Sequence, residues 1–93
     1  MAIDVESRIV RSSKPISAPI GDEIALADIE TEKYYAFNAV ATEVWNIIEH
    51  EIHVQDLCER LAEKYQISYE QSKADVLPFL QRLHDKGLIM IIT

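Results

Sequence analysis

Between Glu23 and Ile29 the side chains alternate: Ile24 and Leu26 fall on one face of an extended chain, with Ala25, Ala27 and Ile29 on the other. After the tight connection Glu30-Thr31-Glu32, the run Lys33 to Phe37 returns as a second strand and completes a hairpin. Along this strand Tyr35 and Phe37 share one face while Tyr34 and Ala36 share the opposite one, because successive strand side chains alternate. One face can be core, so the other has to meet something else. Upstream, Arg8 to Ser12 is a short strand candidate, and Ser13 to Pro19, punctuated by prolines and serines, reads as a loop.

From Asn38 onward the period changes from two to that of a helix. Asn38 is a natural N-cap for a helix from Ala39 to about Glu49, whose buried stripe is expected to hold Val40, Val44, Trp45 and Ile48. A second helix is predicted from Val54 to Tyr65, with Val54, Leu57, Cys58, Leu61 and Ala62 on its apolar side. Asp56 and Glu59 lie early in it, where the helix dipole favours acids. Ser68-Tyr69-Glu70-Gln71 matches a capping box and opens a third helix ending near Lys86, with Gly87 as its left-handed C-terminal residue. Pro78 falls inside that helix, where a proline removes one hydrogen bond and crowds the carbonyl four residues back. Because Val76, Leu80 and Leu83 keep their spacing across Pro78, a kink is expected rather than a restart. Leu88 to Ile92 then forms a short final strand or an apolar tail. The fold class is α+β and winged-helix-like: a small antiparallel N-terminal sheet followed by three helices.

Length and composition narrow the function. Ninety-three residues with 48% hydrophobic content support one small core, so residues 1–93 are expected to form a single domain. The formal charge of −7 disfavours phosphate backbones unless a local basic patch reverses the field, and no run of basic residues does so. The lone Cys58 leaves no internal disulfide, and MAIDVESRIVR has no apolar signal-peptide segment. The longest apolar run, Leu88 to Ile92, is far short of the roughly 20 residues of a membrane helix. These features point to a cytoplasmic setting with no membrane partner.

Little in the sequence can converge for catalysis. Cys58 lies on the apolar stripe of its helix and reads as a small buried hydrophobe. His50 and His53 are three apart beside Glu49 and Glu51, but no third metal ligand stands at a suitable spacing. His84 reads as a surface histidine near a helix end. The only glycines, Gly21 and Gly87, make no phosphate loop, so neither an enzyme nor a cofactor is expected. Two binding classes compete. A winged-helix protein could place its third helix in the DNA major groove, yet that helix sets Glu70, Asp75 and Asp85 against Lys73, Arg82 and Lys86, which argues against nucleic acid. The alternative is a peptide-binding module whose sheet edge accepts an added strand.

The run Asp28 to Asn38 (DIETEKYYAFN), followed by Val40 and Val44-Trp45, resembles the signature of the PqqD-like family, also called RiPP recognition elements. Ala74-Asp75-Val76-Leu77, Phe79-Leu80 and Gly87-Leu88-Ile89 are similar to the family's third helix and exit, so the resemblance spans about Glu23 to Ile89. It departs at Glu32 and Ala41, where glycine is usual; the first bears on the turn, since a left-handed residue other than glycine is costly.

The resemblance implies a protein that binds the leader of a ribosomally made precursor peptide and presents it to a modifying enzyme or leader peptidase, in lasso-peptide biosynthesis first. A chaperone of a radical-SAM enzyme, as in pyrroloquinoline quinone biosynthesis, is the runner-up. It further implies that the leader adds antiparallel to the strand Lys33, Tyr34, Tyr35, Ala36, Phe37 and settles against the third helix. On a helical projection Val76, Leu80 and Leu83 face the core, whereas Ser72, Asp75, Phe79 and Arg82 form an adjacent mixed surface. The candidate peptide-binding residues are therefore the five strand residues with Ser72, Asp75, Val76, Phe79 and Arg82.

Overall fold

Nine elements follow one another in the computed structural model, which describes residues 3–92. They are β1 (Arg8–Arg11), β2 (Ile16–Ile20), β3 (Glu23–Asp28), β4 (Lys33–Phe37), α1 (Ala39–Ile47), β5 (Ile52–His53), α2 (Val54–Tyr65), α3 (Tyr69–Asp85) and β6 (Ile89–Ile91). The α+β class holds. The strands form two antiparallel sheets rather than one N-terminal sheet: β2-β3-β4, and β5-β1-β6, which joins segments from both ends and the middle of the chain. Backbone bonds secure β1 to what surrounds it, with Arg11 N–H donating to Ile48 O at 2.9 Å and Ser12 N–H to Leu88 O at 2.8 Å.

The hairpin β3–β4 forms as expected, with Leu26 opposite Tyr35 and Ile24 opposite Phe37. Its loop carries Glu32 at φ 57°, a left-handed residue without glycine's freedom. The expected loop over Ser13–Pro19 is corrected: Ile16–Ile20 is a strand paired along its whole length with β3. All five of its residues are exposed, so it carries no burial alternation by which to be read. It is connected to β3 by a two-residue turn with Gly21 first, at φ +63°, the position glycine favours in type II′ hairpins.

The helices start and stop for local reasons. Asn38 Oδ1 accepts from Ala41 N–H at 2.9 Å, and α1 buries Thr42, Val44 and Trp45, with Ile48 as its C-cap. Val40, expected in that stripe, is instead 46% exposed. At α3 only half of the capping box forms. Ser68 Oγ accepts from Gln71 N–H at 3.0 Å, but the Gln71 side chain turns forward to donate to Asp75 at 2.9 Å. Helix α3 runs unbroken through Pro78. Pro78 and Ala74 are both exposed, so the carbonyl left without a donor by the proline faces solvent. The helix ends in a Schellman motif, with Leu88 N–H bonding Leu83 O, Gly87 N–H bonding His84 O and Gly87 at φ +74°. His84, expected at the surface, is half-buried.

The core lies between the helices and the inner faces of both sheets, with Ile9, Leu26, Ile48, Leu57 and Leu80 fully buried. Where α2 meets α3, Ser72 is 1% exposed and its hydroxyl donates to Cys58 O at 2.7 Å. Small side chains there let the two backbones approach, and the buried hydroxyl is satisfied. Burial pushes the Cys58 thiol above its ordinary pKa, against the pull of Lys73 and with the help of Glu59, so it remains a neutral thiol in the core. Among the described residues no helix is long and apolar enough to cross a membrane.

Two stability predictions arise. Replacing Glu32 by glycine removes the left-handed penalty of about 1–2 kcal/mol less the unfolded-state entropy glycine adds, so thermal denaturation of E32G should show a midpoint a few degrees higher. An equal or lower midpoint contradicts the strain. Ser72→Ala deletes a buried hydrogen bond and should cost about 1 kcal/mol, read as a lower urea midpoint at unchanged slope; an unshifted midpoint would show that the bond contributes nothing net.

Candidate functional site

The site begins with an edge. Strand β4 has β3 on one side and, among the described residues, no strand on the other; the C-terminal strand β6 pairs with β1 in the second sheet. Which backbone groups of β4 lie on the open side follows from Thr42. Its hydroxyl accepts from Ile24 N–H at 3.2 Å and donates to Phe37 O at 3.4 Å, so the facing groups of this residue pair both point into the space between β3 and β4. Alternation along an antiparallel ladder then turns Lys33, Tyr35 and Phe37 inward to β3. Tyr34 and Ala36 present their N–H and C=O groups outward.

The same alternation explains why this edge differs from the others. On β2 the outward residues are Ser17 and Pro19, and Pro19 has no N–H to offer. In the second sheet the edges are β5 and β6, only two and three residues long. Strand β4 is the edge with both length and donors.

Beside it lies a groove of about 540 Å³ between β4, the first turns of α1, and α3. Buried Val44, Val76 and Leu83 form its floor. Phe37 also lines it, with its ring edge-to-face against Trp45 at 5.8 Å and against Phe79 at 5.7 Å. Phe79 is half-buried and serves both surfaces, packing on the core while bordering the groove. Asp75, Arg82 and Lys86 supply the charged rim. The Arg82 guanidinium is 5.9 Å from the Phe79 ring centre and the Lys86 ammonium 5.6 Å from that of Tyr35, both in cation–π range. Among the described residues no cysteine, serine, threonine or histidine lines the groove. Among the described residues no group of three or more His, Cys, Asp or Glu side chains could hold a metal. The arrangement is an apolar groove with a charged rim, set beside an open strand edge.

Of the ten residues expected at the site, the structure gathers eight around this groove: Tyr34, Tyr35, Ala36, Phe37, Asp75, Val76, Phe79 and Arg82. Lys33 begins β4 but stands outside the groove lining. Ser72 is a correction: it is sealed in the α2–α3 contact, because one helical turn before Val76 the face it shares lies over Cys58 rather than β4. The groove is also lined by Asn38, Val40, Ala41, Val44, Leu83 and Lys86, which are not among the ten expected from the sequence. Lys86 was within reach, since it follows Arg82 by four and so shares its helix face. The α1 residues were not, because their presence depends on how α1 crosses α3.

Comparison with solved structures finds a close likeness to "TbiB1 in Complex with the TbiA(beta) Leader Peptide", with a TM-score of 0.79 and 25% identity over 86% of this chain and 93% of that one. Comparison with curated proteins gives no match. The family described as Coenzyme PQQ synthesis protein D (PqqD) matches residues 23–89, the stretch that holds β3, β4, all three helices and the groove between them. The chain belongs to the PqqD family.

Proposed function

We propose that this protein binds the leader segment of a ribosomally synthesised precursor peptide as an added antiparallel strand on β4, with the leader's side chains lodged in the groove against α3. The observation that carries the reading is the edge of β4, unpaired among the described residues, beside an apolar groove floored by Val44, Val76 and Leu83. The likeness to TbiB1, solved with a leader peptide, supports it. In this reading the protein is a binding module and not an enzyme: the groove holds peptide, and chemistry belongs to a partner. That partner is a leader peptidase or another peptide-modifying enzyme, in a lasso-peptide pathway first, and the setting is cytoplasmic.

Strand addition divides the work between backbone and side chains. Tyr34 and Ala36 offer two donors and two acceptors to any extended chain, which fixes direction and register but reads no sequence. Selectivity comes from the alternate side chains that enter the groove, where Phe79 and Phe37 provide the apolar contact. The remaining side chains of the added strand emerge on the sheet's other face, beside Tyr34, which is 82% exposed.

Two variants test this by isothermal titration calorimetry, with a precursor leader peptide that the unaltered protein binds. Ala36→Pro removes an outward donor without breaking the β3–β4 ladder and should abolish binding while the circular dichroism spectrum stays native. Native-strength binding by the folded variant would exclude β4 as the acceptor edge. Phe79→Ala should weaken binding about tenfold or more, in line with losing one buried apolar contact of about 1.5–3 kcal/mol; unchanged affinity would place the leader elsewhere.

A further inference from the structure

The cations of this acidic protein are unevenly engaged. Of its nine lysines and arginines, five form ion pairs within the described residues: Arg8 with Glu51, Arg11 with Glu49, Lys14 with Glu30, Lys64 with Glu43, and Lys73 with Glu70. Two of the remaining four, Arg82 and Lys86, stand one helical turn apart on the groove rim. Each is over an aromatic ring and neither has a carboxylate within ion-pair distance among the described residues. With sixteen acids in the chain, the groove lining includes a single one, Asp75, whose carboxylate already accepts from Gln71. The groove is thus locally positive in a molecule of net charge −7.

The ladder gives this charge a position. Tyr35 and Phe37 bond inward to β3, so residues of an added strand that lie opposite them fall in the close, non-hydrogen-bonded pairs. Their side chains share the face of Tyr35 and Phe37 and enter the groove. In an antiparallel strand the residue opposite Phe37 comes two before the residue opposite Tyr35. The first meets the Phe37 and Phe79 rings. The second meets Lys86, which lies over Tyr35; Arg82, one helical turn before Lys86, lies over the Phe79 ring.

We propose that Arg82 and Lys86 select a carboxylate, so that the bound segment reads apolar residue, any residue, then Asp or Glu. This rests on strand addition at β4 and names the chemistry that the groove takes. The overall charge works against it: the long-range field of the protein repels acidic peptides, so a preference for acid at one register has to come from a local pair.

A displayed library of random twelve-residue peptides, selected on the full chain, tests the inference. Peptides whose enrichment is lost on A36P report strand addition, and among these the position two after the apolar anchor should favour Asp or Glu at least fivefold over Lys or Arg. Both cations are exposed, so the double variant R82E/K86E should fold and should reverse that preference, while R82Q/K86Q should erase it. Enrichment that depends on Ala36 but shows no acid preference, or one that R82E/K86E leaves intact, overturns the assignment and leaves strand addition standing. If no enriched peptide depends on Ala36, strand addition fails and the carboxylate site fails with it.

Discussion

The Phe37 ring ties the two halves of the molecule together. It stands at the last position of β4, contacts Trp45 of α1 edge-to-face, and contacts Phe79 of α3 in the same manner. Three aromatic rings from three elements therefore fix how far α3 stands from the sheet. Arg11 over Trp45 and Arg82 over Phe79 close the series at either end. With that spacing set, the space left between β4 and α3 is a groove and not a continuation of the core.

An edge strand with free donors is a hazard as well as a binding site, because any extended chain can pair with it. The fold limits the hazard at each margin in a different way. Pro19 removes a donor from the outward side of β2, and β5 and β6 are too short to template a partner. On β4 the donors remain with α3 alongside, and in the proposed function an incoming strand must also satisfy the groove.

The two small sheets have different duties. In β5-β1-β6 the middle strand is enclosed, Ile9 is fully buried, and segments distant in sequence are brought together, which gives the helices a fixed base. In β2-β3-β4 only the inner face meets the core. Leu26 and Phe37 are buried while Ile16, Ile20 and Tyr34 are open to solvent.

Wherever a short stretch contained both the signal and its cause, the sequence by itself determined the outcome: the β3–β4 alternation, the Asn38 and Ser68 caps, the Gly87 terminus, and the core spacing of Val76, Leu80 and Leu83. Eight of the groove residues were legible for the same reason, since strand alternation and helix period assign faces without knowledge of neighbours. Tertiary structure alone decided the rest. Strand β2 has no buried face and exists because β3 pairs with it. Ser72 lies against Cys58, and Val40 lies open on the groove, because a helix buries whichever side its neighbours cover, and the crossing of α1, α2 and α3 is set by packing between segments far apart in the chain.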